Sequence, residues 1–180
     1  MLSMLPGKPI GRKDEPKFCP VDADHQTDWG MCIISNLSPS YNGNGYHFGS
    51  VWPLFTGWAS VGEYRYHQPL PAYTNLRSNA LLALDGSLGH LTEVLSGDYY
   101  QPLSTSSPHQ IWSAAMVVSP ILRGMLCLET DAHSHNVTLA PHLPADWRSF
   151  SLDNLRVGST TIAARGASMV RIRACLQGMP

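Results

Sequence analysis

The chain has 180 residues, of which 43% are hydrophobic and 14% are charged, and its formal net charge is −1. This near-neutral balance argues against nucleic-acid binding and against attraction to an anionic membrane surface. Five Trp, seven Tyr and eight His favour a partner recognised through hydroxyl groups and ring faces, such as a carbohydrate. The length predicts one domain, or one small domain with an appendage. No stretch approaches the roughly 20 apolar residues of a membrane span.

The four cysteines are Cys19, Cys32, Cys127 and Cys175. They form no C-x-x-C pair, and their density is far below that of a disulfide scaffold, so we expect thiols in a reducing, cytoplasmic compartment. The amino terminus lacks the apolar core of a signal peptide. The histidines show no helical H-x-x-x-H spacing, so neither a metal nor another cofactor is expected.

Residues 1–50 are rich in Pro, Gly, Asp, Asn and Ser, and they show no periodicity, which predicts mostly loop. Apolar residues then recur at helical spacing in three segments: residues 51–66, 71–84 and about 109–128. Ser50 is a candidate cap for the first helix, with Pro53 in its first turn. Pro120 should distort the third helix, because proline removes a backbone donor and clashes with the preceding turn.

The predicted apolar faces of these helices are wide, which is typical of a layered helical core. They comprise Val51, Leu54, Phe55, Trp58, Ala59 and either Val61 or Gly62 in the first helix; Ala72, Leu76, Ala80, Leu81 and Leu84 in the second; and Ile111, Trp112, Ala115, Val118, Leu122, Met125 and Leu126 in the third.

After Asp131 the period changes to two, and short strands are predicted at 137–139, 150–152, 155–157, 162–164 and 170–172. In this tail, the alternation over 169–174 predicts one buried and one solvated face. A fully buried Trp147 ring would contribute roughly 3–5 kcal/mol to the stability of the folded chain.

A long polar loop between the second and third helices contains Glu93 and Asp98, close to Gln101. Loops on rigid scaffolds often carry function, so Glu93 is a candidate acid–base group. The alternative is that Glu93 caps a helix or faces solvent, as isolated loop carboxylates commonly do.

Four segments, in order, resemble motifs of amylo-α-1,6-glucosidases, the glucosidase part of glycogen-debranching enzymes. They are GYHFGSVWP at 45–53, LTEVLSGD at 91–98, HQIWSAA at 109–115 and PHLPADW at 141–147. The resemblance implies a mainly α chain: residues 1–130 as the carboxyl-terminal part of an (α/α)6 toroid, and residues 131–180 as a small β-rich unit. It also implies that this unit braces the last helices through Trp147 and Phe150.

The resemblance also implies an inverting glycoside hydrolase that acts on α-glucosidic bonds of an oligosaccharide or polysaccharide. Glu93 would be the general base. The residues that would contact the sugar are His47, Trp52, Asp98, Gln101, His109 and Gln110. Trp52 could equally be a packing anchor, and His47 and His109 could be structural loop or cap residues.

Inversion requires a second carboxyl group as general acid. No aspartate before Gly45 lies in a motif that identifies it as this acid, although Asp24 and Asp28 are upstream. We therefore expect an incomplete catalytic domain, whose partner would be the missing amino-terminal part of the enzyme. The alternatives are a non-catalytic carbohydrate-binding fragment and a related barrel glycosidase of trehalase-like or mannosyl-glycerate-hydrolase-like specificity.

Overall fold

The structure is a computed structural model that describes residues 25–131, 133–134, 136–157, 160–167 and 172–175. At Ala167 and over 172–175 it defines the backbone alone. Asp24 lies outside the described residues. So do the beginning of the strand predicted at 170–172 and the side chains of the alternating segment 169–174.

All three predicted helices are present: α1 (Pro53–Arg65), α2 (Pro69–Leu82) and α3 (Ile111–Ser119). Pro53 occupies the first turn of α1 as expected, but the cap position belongs to Trp52 rather than to Ser50. At Pro120 the third helix changes into a π-helix (Pro120–Met125), which is the distortion that the proline predicts.

Seven strands form three small antiparallel sheets in the described part of the chain. Strands β1 (Gln26–Thr27) and β2 (Gly30–Met31) pair near the start, and β5 (Ser149–Val157) pairs with β6 (Thr160–Ala167) near the end. The third sheet has the order β3 (Glu129–Asp131), β4 (Asn136–Leu139) and β7 (Ile172–Cys175). In β4, Val137 and Leu139 are buried while their neighbours are half-buried, so the predicted alternation is confirmed in this strand.

The prediction of a mainly α chain from an (α/α)6 toroid is wrong for this structure. Three α-helices and one π-helix stand beside three sheets in the segments that the structure describes. Long irregular stretches separate the elements, notably residues 32–52 and 83–110. These stretches are rich in Gly, Ser, Pro and Asn, which favour turns over helix. The chain therefore does not continue the helical hairpins that a toroid requires.

Two apolar clusters form the core. The first joins α1, α2 and the π-helix to the carboxyl-terminal strands and contains Tyr64, Ala72, Leu76, Met125, Leu126, Leu139, Leu143 and Ala164. The second lies beneath the loops around Glu93 and contains Trp29, Cys32, Val51, Leu82, Leu91 and Leu95.

The predicted apolar faces of α1 and α3 are wrong in part. Phe55, Trp58, Ile111, Trp112 and Val118 are exposed. The residues buried in their place include small and polar ones: Thr56, Gly57 and Ser60 in α1, and Ser113 in α3.

Close contact between the helix backbones explains this inversion. A Cβ atom on Gly57 would collide with the Met116 side chain, and one on Gly124 would collide with the Tyr64 ring. At such short separation a large apolar side chain does not fit, whereas a hydroxyl can bond to a backbone carbonyl. Ser60 Oγ, for example, donates to the carbonyl of Ala72 at 2.7 Å.

The tail contacts the helices through two aromatic side chains. Phe150 is half-buried and packs on the first cluster. The Trp147 ring meets the Tyr73 ring edge-on at 5.8 Å, but it remains 36% exposed. Because Trp147 is not fully buried, its removal should cost less than the 3–5 kcal/mol expected for a buried ring.

Candidate functional site

An extended segment, Leu91–Leu95, positions Glu93 between two other stretches of chain. On one side, Leu95 and Val51 exchange both backbone hydrogen bonds, at 2.8 and 2.9 Å. On the other side, the Glu93 N–H donates to the carbonyl of Ser107 at 2.9 Å. At the start of the segment, the Leu91 carbonyl accepts from the Gln110 N–H at 2.9 Å. Backbone hydrogen bonds therefore hold the segment at both ends and at Glu93 itself.

The Glu93 carboxylate is buried, with 8% of the residue exposed. The Tyr46 hydroxyl donates to Oε1 at 2.5 Å, and the Ser107 backbone N–H donates to Oε2 at 3.1 Å. The Gln110 side chain also hydrogen-bonds to this carboxylate. A buried charge is tolerated only when donors compensate for the lost water, and these three groups supply that compensation.

These donors keep the Glu93 carboxylate ionised. The hydrogen bond from Tyr46 lowers the pKa of Glu93 most, and the Ser107 and Gln110 bonds lower it further, while burial acts in the opposite direction. The same contact with Glu93 raises the pKa of Tyr46, so its hydroxyl stays protonated as a donor. Glu93 is thus an ionised acceptor near neutral pH.

An aromatic cluster surrounds the Tyr46–Glu93 contact. The Tyr46 ring meets the Trp52 ring edge-on at 4.7 Å, and the His47 ring stacks on Trp52 at 5.8 Å with an interplanar angle of 10°. Trp52 is 6% exposed, whereas His47 is exposed. The cluster therefore presents a solvent-facing ring next to the buried carboxylate.

Hydrogen bonds fix the backbone beneath this cluster. Trp52 Nε1 donates to the carbonyl of Tyr46 at 3.1 Å and to Ser50 Oγ at 2.9 Å, and Ser50 Oγ donates to the same carbonyl at 2.7 Å. Ser50 therefore orders the turn before α1. Trp52 acts as a packing anchor through its ring and as a donor through its nitrogen.

Glycines allow the two loops to approach each other. A Cβ atom on Gly97 would overlap the carbonyl oxygen of Gly49 and lie 2.7 Å from the Tyr41 hydroxyl. Gly49 itself has φ +140°, a conformation that favours glycine. Larger residues at these positions would push apart the segments that hold Tyr46 and Glu93.

Of the other residues predicted for the site, Asp98 and Gln101 have different surroundings. Asp98 is exposed and accepts a hydrogen bond from the Tyr41 hydroxyl at 3.1 Å. Gln101 is exposed, and its backbone carbonyl accepts from the Ser96 N–H at 2.8 Å.

His109 is also exposed, and its described contacts lie outside the Glu93 centre. It accepts from the Leu91 N–H through Nδ1 at 3.3 Å, and its ring stacks on His90 at 4.4 Å. The structure thus brings His47, Trp52 and Gln110 to the Glu93 centre, and it gives Asp98, Gln101 and His109 other contacts.

Sequence reasoning missed Tyr46 and Ser107. Tyr46 lies inside the GYHFGSVWP segment, but nothing in its spacing shows that its hydroxyl reaches a residue 47 positions later. Ser107 acts through its backbone N–H, which any residue other than proline supplies. A buried carboxylate requires such donors, and this requirement is the one general signal that could have prompted a search for them.

Comparison with known proteins gives no family assignment, because no protein-family model and no curated protein matches the chain. Within the described ranges, no three His, Cys, Asp or Glu side chains are grouped so that they could hold a metal ion. None of the helices described here has the length and apolar character needed to cross a membrane.

Proposed function

We propose that Glu93 is the general base of a glycoside-hydrolysis site that acts on α-glucosidic bonds, as the motif resemblance implies. The observation that carries this proposal is a buried carboxylate that Tyr46 and Ser107 keep ionised, next to an exposed ring stacked on Trp52. The ionised carboxylate supplies the base. The His47–Trp52 pair supplies an aromatic surface for a sugar ring.

The chemistry follows from the acceptor capacity of Glu93. A carboxylate offers about four lone-pair positions. Tyr46 donates to one oxygen and Ser107 to the other, so acceptor positions remain on the carboxylate for a water molecule. Glu93 takes a proton from this water as its oxygen attacks the anomeric carbon, and the configuration inverts. A second carboxyl group must protonate the leaving oxygen, and no residue is assigned to that role.

The test uses a substrate whose leaving group needs no proton. The 180-residue chain is incubated with α-D-glucosyl fluoride, and the first glucose formed is followed by proton NMR. The proposal predicts release above the spontaneous rate, with β-glucose appearing first. Release of α-glucose first, or no release above background, would contradict an inverting base at this site.

For natural bonds we propose the α-1,6 linkage, because the motifs resemble those of amylo-α-1,6-glucosidases. Isomaltose and maltose compared at equal concentration would test this preference. The scattered cysteines favour a reducing setting, so cytoplasmic action on an oligosaccharide or polysaccharide is part of the proposal.

A second candidate function is sugar binding without turnover. The stacked His47–Trp52 rings and the exposed Phe55 ring, 5.9 Å from Trp52, are the observations that favour it. Saturable binding of isomaltose with no release of glucose from either isomaltose or the fluoride would support this reading over the hydrolase.

A further inference from the structure

A cavity adjoins the segment that carries Glu93. Its volume is about 550 Å³, within the usual range for small-molecule sites. Thr92 and Leu95 line it, whereas the Glu93 side chain points to Tyr46. Neither Glu93 nor Tyr46 is among the residues that line the cavity, so it is separate from the Glu93 centre.

The polar groups of the cavity are already ordered by contacts within the chain. The Tyr100 hydroxyl donates to the Asp85 carboxylate, and the hydroxyls of Thr92 and Ser106 pair at 2.7 Å. His90, a further lining residue, is held by its stacking on the ring of His109. Several donors and acceptors therefore face one space in fixed positions.

The walls between these groups are apolar and include Leu82, Leu95 and Pro102. No Lys or Arg is among the described residues that line the cavity, and Asp85 is its one acidic residue. This charge balance disfavours an anionic ligand. Burial also raises the pKa of Asp85, so a ligand hydroxyl that donates to its carboxylate would replace lost solvent.

We propose that this cavity, here called the Asp85 cavity, binds a neutral sugar of hexopyranose size. A pyranose offers hydroxyls to Asp85, Tyr100 and Ser106, and it offers apolar C–H surface to the leucine and proline walls. A cation would use the single carboxylate of Asp85 and leave the neutral hydroxyls of the lining without a role, so it is a poorer match than a ligand with several hydroxyls. The proposal does not depend on turnover at Glu93.

The cavity and the Glu93 centre share a structural connection. Ser106 Oγ pairs with Thr92 and accepts from the Val94 N–H at 3.0 Å, while the next residue, Ser107, donates to Glu93. A ligand that bonds to Ser106 therefore alters the surroundings of the Val94 and Ser107 amides. These amides provide a readout that is independent of activity.

The test is a titration of the 15N-labelled 180-residue chain with D-glucose, followed through the amide signals of Thr92, Val94 and Ser107. Saturable shifts are expected. Tyr100→Phe removes one hydroxyl and Thr92→Val another, and each should weaken glucose binding about tenfold, equivalent to about 1.4 kcal/mol. Asp153→Asn, a change at an exposed carboxylate on β5, is the control and should leave the affinity unchanged.

Two further arms separate the possible outcomes. In Glu93→Gln the glucose-induced shifts should persist. If the glucose-induced shifts were lost in Glu93→Gln but retained in Tyr100→Phe and Thr92→Val, glucose would occupy the Glu93 centre. That result would overturn the proposal. Methylammonium chloride is the cationic probe, and tighter binding of methylammonium than of glucose would overturn the assignment to a neutral sugar. The absence of saturable shifts with glucose would also overturn it.

Discussion

Asn79 supplies the hydrogen bond that Pro120 withholds from Met116. In an α-helix the carbonyl of residue 116 accepts from the N–H of residue 120, which proline lacks. The Asn79 Nδ2 group, on α2, donates to this carbonyl at 3.1 Å and also to the carbonyl of Pro53 at 2.8 Å. A buried amide thus joins the three helices at the point where α3 becomes a π-helix.

Asn79→Leu, which keeps the number and branching of the side-chain heavy atoms but removes the donor, should destabilise the chain by about 1–3 kcal/mol, because the buried Met116 carbonyl then has neither the Asn79 donor nor an N–H from Pro120. Chemical denaturation measures this loss. Asn36→Leu, at an exposed loop position, is the control. In a Pro120→Ala background, the N–H of residue 120 can donate to the Met116 carbonyl. Asn79→Leu should therefore lower the free energy of unfolding by less in that background. An equal cost in both backgrounds would show that the Met116 bond contributes nothing.

Two glycines of α1 provide a matched pair of substitutions. Gly57→Ala places a methyl group against Met116 and should destabilise the chain by about 1–3 kcal/mol. A Cβ on Gly62 meets no described atom within 4 Å, so Gly62→Ala should stabilise by about 0.5–1 kcal/mol through helix propensity. Thermal unfolding compares the two variants. Stabilisation by both would show that α1 and α3 are not in close contact.

Glu63 makes stability depend on pH. Burial raises the pKa of Glu63 above its usual value of 4.5, and the hydrogen bonds from Asn75 only partly offset this effect. A raised pKa means that the stability gained from protonated Glu63 is fully present below about pH 4.5 and is lost as the pH rises through the folded-state pKa. At neutral pH the buried charge is therefore a destabilising feature.

Glu63→Gln should accordingly raise the melting temperature at pH 7. The difference in melting temperature from the unmodified chain should shrink as the pH falls toward 4.5. Glu129→Gln, at an exposed position on β3, controls for the loss of one negative charge. Thermal melting curves recorded from pH 7 to pH 4.5 measure these differences. The difference in melting temperature between Glu63→Gln and the unmodified chain could instead grow toward acid pH. That result would contradict a Glu63 pKa raised by burial.

The Tyr46 hydroxyl should determine the pH below which the hydrolysis rate falls. Because this hydroxyl is the main cause of the lowered pKa of Glu93, Tyr46→Phe should raise that pKa. A base works when ionised, so the acid limb of the rate profile with α-D-glucosyl fluoride should move to higher pH in this variant. Tyr99→Phe, at an exposed position, should leave the limb in place. An unshifted limb in Tyr46→Phe would remove Tyr46 from the site.

Sequence periodicity predicted where the helices lie but not which sides they bury. Spacing located α1, α2 and α3, because a 3.6-residue repeat is a local property. The inward direction of Ser113 and the outward direction of Ile111 depend on the close approach of Gly57 to Met116, which is a tertiary contact. The toroid prediction failed for a related reason, since motif order does not determine how the intervening loops fold.

The candidate site likewise contains residues that the sequence motifs predicted and one that only a tertiary contact reveals. The motif segments predicted Glu93, Trp52 and Gln110, which the structure brings into one centre. Tyr46 completes that centre through a contact across 47 residues of sequence. The resemblance of the 91–98 segment assigned Asp98 to the site together with Glu93, and its described side-chain hydrogen bond is with Tyr41. Sequence proximity within a loop does not specify the direction of a side chain.

The most direct test of Glu93 as the base is the hydrolysis of α-D-glucosyl fluoride by Glu93→Ala, with and without sodium azide. We predict that the variant loses at least about 10²-fold in rate, as expected when an acid–base group is removed. We also predict that azide, which needs no base, restores turnover by attacking the anomeric carbon as fluoride leaves, giving β-glucosyl azide. Near-normal hydrolysis by Glu93→Ala without azide would contradict the account.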